Sequence, residues 1–270
     1  MEENKDLRKK KLEKIYSVGI HKHKGNKHIK SDTYGEITWK GVNQIISCLD
    51  LEETKDLVFL DIGSGHGKMV MHMALQTPIK KSIGIELNKN RHKEAVKLKS
   101  KVGSFGDCEV QLIKGDILEH EDIIKEAGII YANIIMFDYE TMGKMIKMMN
   151  PGTILFANKS YSFKSDKKRD DIYAIKVDMS WMKDNNHYIC ELTEDIIDDI
   201  SFEKPIVKLT QEEVLDKFLN DKEDIKNNIL VTIFKEINEG RLKEEDMEKE
   251  IELLAKLAFI KVQEKKENNE

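Results

Sequence analysis

The residues with the clearest chemical meaning form a short turn in which an acid precedes three glycines. The turn Asp61-Ile-Gly-Ser-Gly-His-Gly67 follows the apolar run Leu57-Val-Phe-Leu60 and leads into a helical pattern that begins at His66. Glycines let a ligand approach the backbone closely and leave amides at the helix start to bind it. The spacing G-x-G-x-G differs from the G-x-G-x-x-G of dinucleotide sites and contains no Lys or Arg, which favours a nucleoside without pyrophosphate.

Two further acids stand at the ends of predicted strands. The run Ser82-Ile-Gly-Ile-Glu86 ends in an acid that would lie beside the glycine turn and accept hydrogen bonds from ribose hydroxyls. Residues 109–116 end in Asp116, placed to accept from the exocyclic amine of adenine, with Ile117 against the ring. A fourth strand, over residues 129–135, reaches the place of a methyl acceptor. Together these pieces predict a methyltransferase that uses S-adenosyl-L-methionine.

The elements that must position these residues alternate along the chain. Strand and helix patterns follow one another over residues 57–157, which is typical of a parallel sheet covered by helices. Residues 172–179 and 187–192 follow as an antiparallel pair. The predicted fold is therefore α/β, a Rossmann-like class I S-adenosylmethionine-dependent methyltransferase domain over residues 31–193 with a seven-stranded, mostly parallel sheet. Three amphipathic patterns predict a carboxyl-terminal helical extension over residues 194–270.

Charge is distributed unevenly at the two ends of the chain. Residues 1–30 form a basic amino-terminal arm with ten Lys or Arg against four Asp or Glu, whereas residues 194–270 have thirteen against twenty-two. A basic arm suits an anionic partner such as DNA, because neutralised phosphates release counterions. A solvated, partly helical arm is the alternative. In the extension, one helical face carries an apolar stripe that predicts an internal docking face or, alternatively, a homodimer contact. The stripe consists of Met247, Ile251, Leu254 and Ala258.

Several classes of protein are excluded by composition. The three cysteines are scattered and odd in number, which favours a reducing compartment without a disulfide framework. No apolar stretch approaches the ~20 residues of a membrane span, so we expect no membrane partner. The histidines of the arm have no further ligand close by in sequence, so no metal site is expected. These features favour an intracellular protein.

Six short motifs occur in order between residues 34 and 192. They are Tyr34-Gly35-Glu36, the Asp61 to Gly67 turn, Gly84-Ile-Glu86, Gly115-Asp116, Asn158-Lys159, and Ser180-Trp181 followed by Tyr188. In this order they resemble the non-SET histone-lysine methyltransferases named for disruption of telomeric silencing. The glycine turn and the acidic strand ends are common to the whole superfamily. The Tyr-Gly-Glu loop and the Ser-Trp pair with its following Tyr are the specific part of the resemblance.

The resemblance implies a role for each matching residue. The Tyr34-Gly35-Glu36 loop would close over the methionine part of the cofactor, with Asp61 and Gly63 beside its amino-acid end. The other implied cofactor contacts are Gly65 and Lys68 in the turn, Glu86 at the ribose, Asp116 and Ile117 at the adenine, and Asn133. The implied catalytic residues are Asn133, which bridges cofactor and substrate, and Trp181 and Tyr188, which line the channel for the target lysine.

The resemblance also implies a partner and a place. The partner would be a histone or nucleosome, and the role would be chromatin regulation. The location would be the nucleus or the cytoplasm, of a host cell if the chain is viral.

The sequence departs from the family at several positions. The family's functional asparagine falls on Ile134, Lys68 replaces a neutral amide, and Ile37 replaces a hydroxyl. Two alternatives therefore stay open: a methyltransferase of the same fold that acts on a non-histone protein or a nucleic acid, and a cofactor-binding scaffold that has lost turnover. A base-methylating enzyme would carry Asn or Asp, then Pro-Pro and an aromatic, where this chain has Asn133-Ile-Ile-Met136.

Overall fold

The computed structural model describes residues 2–18, 35–133, 137–158, 161, 163–165 and 169–201. The chain divides into two compact units, Met1–Lys204 and Pro205–Glu270, and the described residues all belong to the first. Predictions for Tyr34, for Ile134 and for the helices after residue 201 lie outside the described residues. Within the described ranges, no helix is long and apolar enough to cross a bilayer.

A seven-stranded sheet in the order β3-β2-β1-β4-β5-β7-β6 forms the centre of the domain. The first five strands pair in parallel, and β7 pairs antiparallel with both β5 and β6. This arrangement confirms the predicted fold class and the closing antiparallel pair. The strands are β1 (Val58–Ile62), β2 (Lys81–Glu86), β3 (Glu109–Lys114), β4 (Ile129–Ala132), β5 (Ile154–Ala157), β6 (Tyr173–Val177) and β7 (Asn185–Glu191).

Seven α-helices accompany the sheet in the described part of the chain. They are α1 (Glu2–Ser17), α2 (Trp39–Ile46), α3 (Lys68–Gln76), α4 (Lys89–Val102), α5 (Glu121–Glu126), α6 (Tyr139–Met148) and α7 (Glu194–Asp199). A short 3-10 helix, Ile117–Glu119, precedes α5. The helix after the glycine turn begins at Lys68, two residues later than the sequence predicts, because Gly67 has a left-handed φ of 69° that a helix interior does not accept.

The central strands are buried on both faces, because neighbouring side chains along a strand point to opposite sides of the sheet. Leu60 and Ile130 pack toward α5, α6 and α7, through side chains such as Met145. Phe59 and Ile129 pack in a separate cluster that includes side chains of α2 and α3. Because helices cover both faces of the sheet, β1 and β4 carry apolar residues at consecutive positions.

The strand order reverses between β1 and β4, which is where ligands bind in open α/β sheets. The chain leaves β1 through the glycine turn and leaves β4 at Asn133. Because both strands are parallel, their carboxyl ends lie at the same edge of the sheet. The topology therefore brings the turn and Asn133 to one crevice.

The first half of the predicted amino-terminal arm is helix α1, which packs against the domain. Leu12 and Ile15 are 1% and 0% exposed and lie in a cluster with Met71, Leu98 and Phe105. Most of the polar and basic residues between Lys5 and Ser17 are exposed. Helix α1 is thus an integral part of the described unit, while the predicted domain boundaries after residues 30 and 193 stay predictions.

We predict that Leu12→Ala destabilises the protein by about 2–5 kcal/mol, because it leaves a cavity between α1 and the helices beneath it. Leu7→Ala is the matched control on the same helix, since Leu7 is 54% exposed. Its effect should stay within about 0.5 kcal/mol. Urea unfolding followed by tryptophan fluorescence measures both. Equal losses, or no loss for Leu12→Ala, would mean that α1 is not packed as described.

Candidate functional site

The glycine turn is a left-handed backbone segment fixed to the neighbouring strand. Gly63, Gly65 and Gly67 have φ values of 78°, 55° and 69°. The amides of Gly63 and Ser64 donate to the carbonyl of Ile85 on β2, at 2.9 and 3.0 Å. A Cβ at position 63 would meet no atom within 4 Å, so this glycine borders open space rather than packed protein. The turn therefore offers bare backbone to a ligand.

A cavity that opens to solvent lies over this turn, and its empty space, including the open solvent, is about 360 Å³. Seven of the residues that the sequence predicts for the site line it: Gly35, Glu36, Asp61, Gly63, Gly65, Lys68 and Asn133. They come from three separate parts of the chain, namely the segment before α2, the β1–α3 corner and the end of β4. Glu86, Asp116, Ile117, Trp181 and Tyr188 lie outside this lining.

Asp61, at the end of β1, is a buried acid that faces the cavity. The residue belongs to the lining and is only 4% exposed. Burial raises the pKa of Asp61 to about 8, and the nearby negative charge of Glu86 adds to the shift. A cation bound beside this carboxyl would favour its ionised form.

Glu86, at the end of β2, holds the corner in shape. Its Oε2 accepts a hydrogen bond from the amide of Gly65 at 2.8 Å. Its Oε1 accepts from the amide of Asn88 at 2.7 Å and from Arg91 Nε at 3.1 Å. Arg91 NH2 also lies 3.0 Å from Oε1, so three donors crowd that oxygen, whereas Oε2 has one of these contacts for its two lone pairs. Glu86 thus connects the glycine turn to the start of α4.

The acid after β3 is placed beside Glu86 but is open to solvent. The amide of Gly115 donates to the carbonyl of Glu86 at 3.2 Å. Asp116 is exposed, and its Oδ1 accepts from the amide of Leu118 at 3.0 Å, which caps the 3-10 helix. Ile117 is buried at 6% exposure. The residues predicted for ribose and adenine are therefore neighbours along the edge of the sheet.

The two most specific motifs of the sequence meet in the structure. The amide of Glu36 donates to Ser180 Oγ at 3.0 Å, and the amide of Ser180 donates to the carbonyl of Glu36 at 2.7 Å. Gly35 lies against the ring of Trp181 so closely that a Cβ at position 35 would be 2.0 Å from the ring. Only glycine fits there without displacing Trp181. The loop before α2 is therefore docked on a segment almost 150 residues later in the chain.

The carboxylate of Glu36 is the centre of a buried charge cluster. Lys68 Nζ lies 2.6 Å from Glu36 Oε2, and His66 Nδ1 lies 2.8 Å from Glu36 Oε1. The same Lys68 ammonium donates to the carbonyl of Val18 at 2.7 Å. The three side chains are less than 10% exposed. Lys68 thereby joins the end of α1, the Glu36 loop and the first turn of α3.

The end of β4 forms the other side of the site. Asn158 Nδ2 donates to Asn133 Oδ1. Ala132 and Ala157, the residues before these asparagines, pair across the sheet, and Ala157 pairs in turn with Tyr188. Asn133 thus lies one residue beyond the level of Tyr188, two strands away. Tyr188 is half-buried, and Trp181 is 42% exposed.

Sequence reasoning missed several residues of the site. Ile37, Ser64, Met69 and Tyr131 also line the cavity, although the sequence predicts no contact for them. Tyr131 OH lies 3.1 Å from Nε2 of the buried His187. A signal existed for Tyr131, because it precedes Asn133 by two residues on a strand and so shares its face. His66 carries no signal of its own, since its contact with Glu36 joins segments that are distant in sequence.

The sheet order, the glycine corner and the acids at the ends of β1 and β2 define the class I, Rossmann-like methyltransferase fold. The sequence model of one family, described as "Histone methylation protein DOT1", matches residues 16–189. Because the match covers more than half of the chain, the chain belongs to this family. The resemblance drawn from the motifs is thereby confirmed.

Curated relatives include two animal proteins named "Histone-lysine N-methyltransferase, H3 lysine-79 specific". The Drosophila melanogaster protein is 33% identical over 114 residues, which are 39% of this chain and 6% of that protein. The Caenorhabditis elegans protein is 35% identical over 130 residues, 43% of this chain and 13% of that protein. A "Protein-lysine N-methyltransferase" from Saccharolobus islandicus (strain REY15A) is 29% identical over 101 residues, 37% of this chain and 60% of that protein. The chain thus spans only a small part of the length of the animal relatives.

Solved structures with a similar arrangement are more distant. An RNA methyltransferase from Salinibacter ruber in complex with S-adenosyl-L-homocysteine has a TM-score of 0.44 and 21% identity, covering 59% of this chain and 95% of that one. The M. capricolum protein TrmK, in complex with the same compound, has a TM-score of 0.41 and 15% identity, covering 82% and 97%. Likeness at this level says nothing about the substrate.

We predict that Lys68→Met costs about 3–5 kcal/mol of unfolding free energy, because it leaves the buried Glu36 carboxylate without its nearest cation. The double variant Glu36→Gln/Lys68→Met should lose less than the sum of the two single variants. Lys40→Met is the control, since Lys40 pairs with Asp178 at 2.9 Å with its side chain 69% exposed, and it should change stability little. Urea unfolding measures all four. Additive losses would contradict a coupled buried pair.

Proposed function

We propose that the chain is an S-adenosylmethionine-dependent protein-lysine N-methyltransferase that acts on a histone, free or within a nucleosome. The observation that carries the proposal is the docking of the Gly35-Glu36 loop on Ser180 and Trp181, directly beside the cavity over the glycine turn. These two motifs are the parts of the sequence specific to the family, and the structure joins them. Membership of the family supports the substrate class.

The residues around the cavity fit S-adenosylmethionine. Gly63 borders open space, and the left-handed turn leaves backbone next to the cavity. Asp61 is a buried carboxyl that would be offset by the ammonium of the amino-acid end. When bound, the cofactor would supply an activated sulfonium methyl group.

Each residue then has a proposed part in holding the cofactor. Asp61, Gly63 and Gly65 would contact the amino-acid end, and the Tyr34-Gly35-Glu36 loop would cover the methionine part. Lys68 would act by fixing Glu36. The remaining proposed contacts are Glu86 at the ribose, Asp116 at the adenine amine, Ile117 against the ring, and Asn133 between cofactor and substrate.

The chain's own contribution to transfer is to position and deprotonate the target lysine. An amine attacks a sulfonium methyl only with a free lone pair, so the lysine must first lose a proton. A narrow apolar channel lowers the pKa of an ammonium by desolvation, and aromatic faces can hold the cation beforehand. Trp181, Tyr188 and Phe137 would form this channel. Phe137 and Tyr188 both pack, partly buried, against the same core cluster.

Specific observations support two alternatives to the histone-lysine methyltransferase. The Saccharolobus relative is named a protein-lysine methyltransferase without a histone, which favours a non-histone protein as the second candidate. A nucleic-acid base is less favoured, because Asn133 is directly followed by Ile134 and Ile135 and not by two prolines. A scaffold without turnover is supported by Ile134, which lies outside the described residues.

Partner and location follow from the substrate. A histone substrate would place the protein in the nucleus or, for a viral chain, in a host cell. The basic amino-terminal arm would contact the DNA next to the histone, and the predicted carboxyl-terminal helical extension would supply the surface for a homodimer. The domain organisation into arm, catalytic domain and helical extension is part of this proposal.

We predict that the protein transfers label from S-adenosylmethionine to core histones, and that Tyr188→Ala lowers the transfer rate at least about tenfold, or about 1.4 kcal/mol in the barrier. Cofactor affinity should stay nearly unchanged, because Tyr188 is assigned to the lysine channel. Tyr173→Ala is the matched control on the neighbouring strand, since Tyr173 is 63% exposed. Mass spectrometry of the labelled histone identifies the modified lysine.

The outcomes separate the candidates. No label on free histones or nucleosomes, together with label on another protein of a cell extract, would contradict the histone substrate. No transfer at all despite measurable cofactor binding would favour the scaffold. Collapse of cofactor affinity in Tyr188→Ala would make that residue structural.

We further predict that the affinity for S-adenosylhomocysteine rises with pH up to about 8. Below that pH the free protein carries a protonated Asp61, because its pKa is raised to about 8, so binding of the ligand's ammonium must displace a proton. The affinity should therefore fall by up to about tenfold per pH unit below 8. Asp61→Asn should bind more weakly at pH 8 and lose most of this dependence. Isothermal titration calorimetry measures the affinities, and an unchanged pH profile in Asp61→Asn would remove Asp61 from the amino-acid end.

A further inference from the structure

Helix α4 carries a row of lysines along one side. Lys89, Lys93, Lys97 and Lys101 follow one another at four-residue spacing, and all four are exposed. Four residues correspond to just over one helical turn, so the row runs for about 18 Å along the helix. Glu94 is the one acid of α4, and it pairs with Lys97 at 2.8 Å. The row is therefore strongly positive.

Helix α1 continues this positive surface, because it lies directly beside the end of α4. Leu12 and Ile15 share a buried cluster with Leu98 and Val102 of α4. The ammonium of Lys14 donates to the carbonyl of Lys101. The exposed basic residues of α1 are Lys5, Arg8, Lys9, Lys10 and Lys14. We call the exposed basic residues of α1 and α4 the two-helix basic face.

The charge of this face contrasts with that of the chain. Helices α1 and α4 together contain twelve Lys or Arg against five Asp or Glu, whereas the chain has a formal net charge of −5. Like charges at four-residue spacing repel each other and destabilise a helix. A polyanion bound along the row would relieve that repulsion. A merely solvated helix surface would more commonly mix both signs.

The face also begins next to the candidate site. The amide of Asn88, which caps α4, donates to Glu86 Oε1, and Arg91 NH2 lies 3.0 Å from the same oxygen. Lys89 and Lys93 follow within the first turns of α4. A partner bound along the row would therefore lie beside the corner that holds the cofactor in the proposed function.

We propose that the two-helix basic face binds the phosphate backbone of duplex DNA. Phosphates on a duplex form a dense row of negative charge. Lysines on successive turns of a helix can contact these phosphates without recognising the base sequence of the DNA. This extends the proposed DNA contact from the arm to α4 in the catalytic domain. The choice of duplex DNA over other polyanions rests on the proposed histone substrate.

The test compares two triple variants of the full chain by fluorescence anisotropy with a short labelled DNA duplex of mixed sequence. Lys93→Gln/Lys97→Gln/Lys101→Gln removes three charges from the face. Lys125→Gln/Lys144→Gln/Lys147→Gln removes three charges from α5 and α6, whose apolar residues pack in a different core cluster. The first variant should weaken binding at low salt about tenfold or more and reduce the slope of log K against log salt by about 0.9 for each phosphate that is no longer neutralised. The second should bind like the unchanged protein.

The experiment separates this proposal from the proposed function. Both variants should retain S-adenosylhomocysteine affinity and transfer to free histones, and only transfer to nucleosomes should fall for the α4 variant. If the unchanged protein and both variants show no cofactor binding or no transfer, the proposed function is contradicted. The DNA measurement would still decide whether the two-helix basic face binds DNA. Equal DNA affinity and equal salt slopes for the two variants would overturn it. Binding to vesicles of phosphatidylserine with no binding to DNA would overturn it as well.

Discussion

The site depends on one buried carboxylate. Glu36 lies between the ammonium of Lys68 and the imidazole of His66, and Lys68 also holds the last described carbonyl of the α1 segment. Removing ions from water is costly, so such a cluster persists only where the distances are short and the hydrogen-bonding capacity is used. Because its three side chains come from the loop before α2, from the glycine turn and from the start of α3, the cluster fixes the loop over the cavity. Two hydrogen bonds between the backbone of Glu36 and Ser180 then attach the Ser-Trp segment to the same point.

The electrostatics of the glycine corner depend on which groups offset the negative charge of each buried acid. Glu36 has Lys68, and Glu86 has Arg91 together with two backbone amides. Asp61 is buried among them, and its pKa is raised to about 8. Folding therefore holds this acid in an unfavourable environment that a bound cation would relieve. We propose that the cationic end of the cofactor fulfils this role, so that the cost of burying Asp61 favours binding.

Local and periodic features of the sequence predict most of the fold. The apolar runs of β1 and β2, the spaced glycines and the antiparallel end of the sheet follow from hydrophobic pattern and turn chemistry. Contacts between distant segments are harder to predict, because they leave no repeating pattern. Lys68 stands out in the sequence as a departure from the family, and only the structure pairs it with Glu36. Gly35 is predicted as part of a motif, but the tryptophan ring that requires a glycine there lies almost 150 residues away. The packing of α1 against the domain is likewise hard to predict from the sequence, because most residues of this helix are charged.

The central claim is that the cavity over the glycine turn holds the cofactor in one orientation. A crystal structure of the full chain with S-adenosylhomocysteine tests it most directly. We expect the amino-acid end beside Asp61 and Gly63 and the ribose beside Glu86, with the Lys68–Glu36 ion pair intact. Density for the ligand elsewhere, or with its adenine at Asp61, would contradict the claim.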